Sequence, residues 1–152
     1  MKNITIHQLA IEEIVHHSRS KLPEESCGIL LGKDGNITDI LIMENLATKI
    51  NKINQYSCPY DNTEGFRFNE FRAWKAVEEA AKHGLEFLGI WHSHPHLNTN
   101  LTDDDIEGMM AGINQPISEE CYYLIAGVTD SDYTIKVWQW DAPSKDFVEI
   151  YK

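Results

Sequence analysis

GIWHSHPHLNTNLTDDD (residues 89–105) runs from an apolar stretch into alternating histidines, breaks at a proline and ends in three aspartates. Read as the end of a strand, the period of two puts the imidazoles of His92 and His94 on the same face, close enough to share one ion. Pro95 cannot continue a hydrogen-bonded ladder, so the chain must turn out of the sheet there. Asp105, eleven residues after His94, falls in the first turn of a following helix, where its carboxylate could fold back toward the imidazoles. Two imidazoles and one carboxylate leave a fourth tetrahedral position open, as in a catalytic zinc site. The same residues have a plainer reading. With seven histidines, an H-x-H triplet arises by chance in about one chain of three or four of this composition. Thr102-x-x-Asp105 is also an ordinary helix cap. Spacing alone leaves both a zinc site and a structural histidine pair open.

Outward from this stretch, LEFLGIWHSH (85–94) forms a strand, with a helix before it and another after it at 103–113. The helix before it, FNEFRAWKAVEEAAKH (68–83), carries Phe71, Trp74, Ala76, Val77, Ala80 and Ala81 as its apolar stripe, with Gly84 as its stop. Toward the N-terminus, residues 7–20 read as an amphipathic helix through Leu9, Ile11, Ile14 and Val15, ended by Pro23. CGILLG (27–32) and ITDILIMEN (37–45) are strands joined at the Asp34-Gly35 turn. Residues 46–66 lack a period and read as a long irregular loop. Strands at 121–128, 133–140 and 146–151 close the chain. This order predicts an α/β fold: a mixed, largely antiparallel, curved sheet flanked by helices.

The length of 152 residues suits one domain over residues 1–152, and 42% hydrophobic with 24% charged residues excludes a disordered or fibrous chain. A net charge of −11 disfavours nucleic acid as the main partner. No apolar run reaches the roughly 20 residues of a membrane span. The N-terminus carries acidic residues where a signal peptide needs an apolar stretch. Cys27, Cys58 and Cys121, odd in number and widely spaced, fit free thiols in a reducing, cytoplasmic compartment. Cys27, within an apolar strand, reads as an inert buried thiol. Of the remaining histidines, His16 and His17 read as solvated, His83 as a neighbour of a helix C-terminus, and His96 as either a solvated ring or a substrate contact; His7 carries no signal. Asp103 and Asp104 add favourable charge at a helix start.

Three motifs taken together carry a resemblance. Glu25-Ser26-Cys27-Gly28 leads into ILLG, His92-Ser93-His94-Pro95 follows, and Thr102 and Asp105 complete the pattern. In these residues and their spacing the chain resembles the JAMM (MPN-plus) metalloprotease family, and the resemblance covers nearly the whole chain. It implies a sheet architecture of the MPN type, related to that of cytidine deaminases. It implies His92, His94 and Asp105 as ligands of one zinc ion per chain, since Cys121 stands alone where some relatives bind a second. Glu25, rather than the adjacent Glu24, takes the place of the general base. Thr102 stands where the family usually has Ser and would donate to an oxyanion. The implied reaction is hydrolysis of the amide or isopeptide bond after the C-terminal Gly-Gly of a ubiquitin-like protein, bound extended along a sheet edge. Segment 46–66 is a candidate wall of the channel, or a surface loop without that role. Two alternatives accompany this expectation: a processing peptidase acting on a sulfur-carrier protein, and a catalytically silent MPN scaffold, although scaffolds generally lose the ligand residues. A nucleoside deaminase would need H-x-E and P-C-x-x-C, and neither is present.

Overall fold

The computed structural model describes residues 3–151. In chain order these form β1 (Thr5–Ile6), α1 (Gln8–Lys21), β2 (Cys27–Lys33), β3 (Asn36–Met43), α2 (Ala47–Ile53), α3 (Glu70–Ala81) and β4 (Glu86–His94). They continue through α4 (Asp103–Met109), β5 (Met110–Gly112), β6 (Gln115–Pro116), β7 (Tyr122–Val128), β8 (Tyr133–Asp141) and β9 (Asp146–Glu149). Seven strands make one mixed sheet in the order β1-β3-β2-β4-β7-β8-β9. Among the described residues only β1–β3 and β4–β7 are parallel, so the sheet is largely antiparallel, as the sequence predicts. No helix among the described residues is long and apolar enough to cross a membrane.

The centre of the sheet is buried on both faces, which is why β2 reads as a continuous apolar run rather than an alternating one. Leu30 points into the cluster formed with Ala10 and Ile14 of α1, Ile37, Trp91, Leu124 and Val137. Ile29 and Leu31 point the other way, against Ala73 and Ala80 of α3. The β2–β3 hairpin turns on Asp34 and Gly35, both at positive φ (52° and 78°), as a two-residue turn matched to strand twist requires.

Gly28 has a packing reason. It pairs with Trp91 across β2 and β4, and the indole crosses over it to donate from Nε1 to the Leu41 carbonyl at 3.1 Å. A Cβ at residue 28 would stand 1.8 Å from that carbonyl oxygen and 2.4 Å from the indole nitrogen. Gly28→Ala is therefore expected to lower stability by about 1–3 kcal/mol or more through overpacking, measured as a fall in the chemical-denaturation midpoint.

Four expectations need correction. The segment 46–66 contains α2, although its remainder is irregular. The helix expected over 103–113 ends at Met109, and the chain enters the β5–β6 hairpin. Gly108 and Gly112 weaken helix continuation, and Asn114 turns at φ 54°. In α3 the buried stripe is Ala73 and Ala80, with Val77 partly buried between them, whereas Phe71 and Trp74 are 69% and 55% exposed. At about 100° per residue, Trp74 lies well round the helix from Ala73. The small alanine stripe lets the helix approach the sheet. His17 is half-buried rather than solvated, edge-on to Trp91 at 6.5 Å, and burial lowers its pKa below the ordinary imidazole value. The short β1 had no sequence signal of its own.

Candidate metal centre

His92, Ser93 and His94 end β4 between β2 and β7, all three buried. The alternation expected of a strand end is realised: the two Nε2 atoms lie 3.3 Å apart. Pro95 follows outside the strand, and the chain returns through α4 to set Asp105 across both rings. Asp105 Oδ1 is 3.1 Å from His92 Nε2, and Oδ2 is 3.2 Å from His94 Nε2. Its position is fixed by a capping box. Thr102 Oγ1 accepts from the Asp105 N–H at 3.1 Å, and the Thr102 N–H donates to Asp105 Oδ2 at 3.0 Å. Asp105 thus belongs both to the helix cap and to the cluster with the two imidazoles.

Glu25 lies just before β2, 7% exposed, with its Oε1 buried and unpartnered. Glu25, His92 and His94 each offer a ligand atom within 4.8 Å of the others. Asp105 approaches the two imidazole nitrogens more closely than that limit. The 3.3 Å between the two imidazole nitrogens matches the edge of about 3.3–3.4 Å expected of a tetrahedron with metal bonds near 2.0–2.1 Å, and Asp105 offers one oxygen to each ring. Two nitrogens this close, facing a carboxylate and an orphaned carboxyl oxygen, form a donor set that a divalent cation fits.

The surroundings define the protonation. His94 Nδ1 donates to the Asn98 carbonyl at 2.7 Å, which fixes the ring with Nε2 facing Asp105 Oδ2 at 3.2 Å. Burial alone would lower the pKa of His94, but its hydrogen bonds with Asp105 and Asn98 outweigh this and raise it. Burial would raise that of Asp105, yet the hydrogen bonds from His92 and His94 hold its carboxyl far below the usual carboxylate range. Glu25 goes the other way: desolvation dominates, opposed by the nearby His94, and lifts its carboxyl to about 8. A carboxyl poised near neutrality beside a charged, buried cluster has the character of an acid–base group.

The structure brings Glu25, His92, His94 and Asp105 together and sets Thr102 next to them at the start of α4. The Thr102 side chain accepts the cap hydrogen bond, leaving its own hydroxyl proton free to donate. Glu24 is half-exposed and Cys27 is fully buried, its thiol pushed up to about 12 by burial. His96 is exposed, with its ring 5.3 Å from that of His94. Three contacts escaped the sequence reading. Ser93, between the histidines, accepts from the Ser26 N–H at 2.8 Å, and its own N–H returns to the Ser26 carbonyl at 2.9 Å, which ties the two motifs together. Asn98 supplies a backbone carbonyl, which no residue type reveals. Phe66, at the end of the irregular segment, stacks on His92 at 4.6 Å.

A curled mixed sheet carrying this cluster at the end of a central strand defines a domain of the JAB/MPN class. The chain belongs to the family of prokaryotic homologs of the JAB domain, whose sequence profile matches residues 7–141. Among curated proteins, none matches the sequence. Solved structures share the fold. A protein from Desulfitobacterium hafniense superposes with a TM-score of 0.72 at 22% identity, over 97% of this chain and 90% of that one. A JAB1/MPN domain protein from Archaeoglobus fulgidus gives 0.53 at 13% identity, over 99% and 97%. A structure described as a JAMM, a metalloprotease-like zinc site in the proteasome and signalosome, gives 0.52 at 13%, over 98% and 96%. At these identities the likeness is one of fold.

Proposed function

We propose that this chain is a zinc-dependent peptidase or isopeptidase that hydrolyses the amide bond after the C-terminal Gly-Gly of a ubiquitin-like protein. The observation that carries the reading is the position of Asp105 across both imidazole nitrogens at 3.1 and 3.2 Å, with the unpartnered Glu25 carboxyl beside them. His92, His94 and Asp105 would hold the ion. When bound, zinc would acidify a water and polarise the scissile carbonyl.

The remaining chemistry belongs to the chain. Glu25 Oε1 accepts the proton of the attacking water and passes it to the leaving amine, work typically worth about 10²- to 10⁴-fold in rate. Thr102 Oγ1, already held as the cap of α4, turns its free proton toward the carbonyl oxygen as charge develops there. No covalent acyl-enzyme is required, and the buried, strongly protonated Cys27 is unsuited to form one. Phe66, stacked on His92, contributes an apolar wall from the segment 46–66 and narrows the approach beside the histidines.

The test is a ubiquitin-like protein extended through its Gly-Gly end by an amide-linked peptide, incubated with the zinc-loaded chain and followed by intact mass. Cleavage immediately after Gly-Gly, stopped by a chelator and restored by zinc, is the expected result. Intact substrate, or cleavage that a chelator leaves untouched, would contradict the proposal.

A further inference from the structure

Glu25 precedes β2 and makes no side-chain hydrogen bond through Oε1, so its carboxyl is aimed by the backbone that carries it. That backbone is clamped from one side. The Glu25 N–H donates to the Asn62 carbonyl at 2.6 Å, and the Glu25 carbonyl accepts from Asn45 Nδ2 at 2.9 Å. Asn45 uses its full hydrogen-bonding capacity here. Nδ2 also donates to the Gly65 carbonyl at 3.0 Å, while Oδ1 accepts from the Ala47 N–H at 3.1 Å and the Arg67 N–H at 3.2 Å. Asn62 closes the arrangement: its Nδ2 donates to the Asn45 carbonyl at 3.2 Å, and its Oδ1 accepts from the Thr48 N–H at 2.8 Å. One amide side chain thus joins both ends of the segment 46–66 to the residue that bears the carboxyl.

We propose that Asn45 is a positioning residue for Glu25, setting the carboxyl against the histidine cluster by tethering its backbone to the segment 46–66. The inference rests on the reading of Glu25 as the acid–base group. A purely structural Asn45 would set the stability of the segment alone. A positioning Asn45 sets turnover, because misplacement of a reacting group by about 1 Å costs on the order of 10²-fold.

Two variants test it. Asn45→Ala removes all four hydrogen bonds. Asn45→Asp keeps acceptors for Ala47 and Arg67 but turns an oxygen against the Glu25 and Gly65 carbonyls. Both are expected to lose about 10- to 100-fold in kcat on the Gly-Gly fusion, with KM and zinc content unchanged. In both, amide hydrogen exchange at Glu25 should quicken relative to the core of β2. Should Asn45→Ala fail to fold, Asn45→Asp decides. Wild-type kcat in a folded variant, a loss confined to KM or melting temperature, or unchanged exchange at Glu25 overturns the inference. If the wild-type chain cleaves no Gly-Gly fusion, it is the proposed function that fails, and the exchange measurement still decides whether Asn45 holds Glu25.

Discussion

Glu25→Gln is expected to keep one zinc per chain while losing at least about 10²-fold, and up to about 10⁴-fold, in kcat. The substitution preserves the shape of the side chain and the backbone bonds to Asn62 and Asn45, so the fold around the cluster should be unchanged. It removes a buried carboxyl beside the imidazoles that can take and return a proton. Burial raises the Glu25 carboxyl to about 8, so around that pH it holds its proton in part and can both give and accept one, whereas an amide cannot. Zinc content and turnover measured on the same preparation separate the two roles open to Glu25. Loss of both would make Glu25 a ligand, and loss of neither would remove it from the chemistry.

Asp105→Ala and His92→Ala should lose zinc as well as turnover. Asp105 is the anion between two nitrogens 3.3 Å apart, and its low pKa means it is charged at any working pH. Losing a partner outside the metal's own ligands typically costs about 10–100-fold in affinity, and losing a ligand should cost at least as much. Asp105 is also the N3 partner of Thr102 in the capping box of α4, so its alanine variant gives up about 0.3–1.5 kcal/mol of helix stability in addition. Asp105→Asn separates these effects. Its amide oxygen can still accept from the Thr102 N–H, so the cap survives while the charge is lost. Zinc titration with a competing chelator should show weakened binding in both variants, with the larger melting-temperature loss in Asp105→Ala.

Much of this site was legible in the sequence because its geometry is local. A strand's period of two brings His92 and His94 together, and the cap pattern Thr102-x-x-Asp105 makes a turn that presents a carboxylate. Glu25 is different. It reaches the cluster only because β2 and β4 are neighbours in register, Cys27 opposite His92, a long-range pairing that no local pattern encodes. The family motif, not periodicity, pointed to it. The order of helices and strands carries the fold class, and the mixed sheet follows it. The errors fall where local pattern competes with packing. Phe71 and Trp74 look like core residues, but the sheet accepts the alanine stripe of α3 instead. Beyond the short α2, the 46–66 segment is held by side-chain amides, with Asn45 and Asn62 in place of a regular ladder. Such bonds leave only a composition rich in Asn and Thr, which reads as loop. The Asn98 carbonyl that orients His94 belongs to the backbone and leaves no trace in residue identity.

Zinc-edge anomalous diffraction from crystals of the zinc-loaded chain locates the ion. The expected result is a single strong peak bonded by Nε2 of His92, Nε2 of His94 and a carboxylate oxygen of Asp105, with Glu25 nearby but unbonded. A peak that takes Glu25 in place of Asp105, one elsewhere on the chain, or none at all, would contradict it.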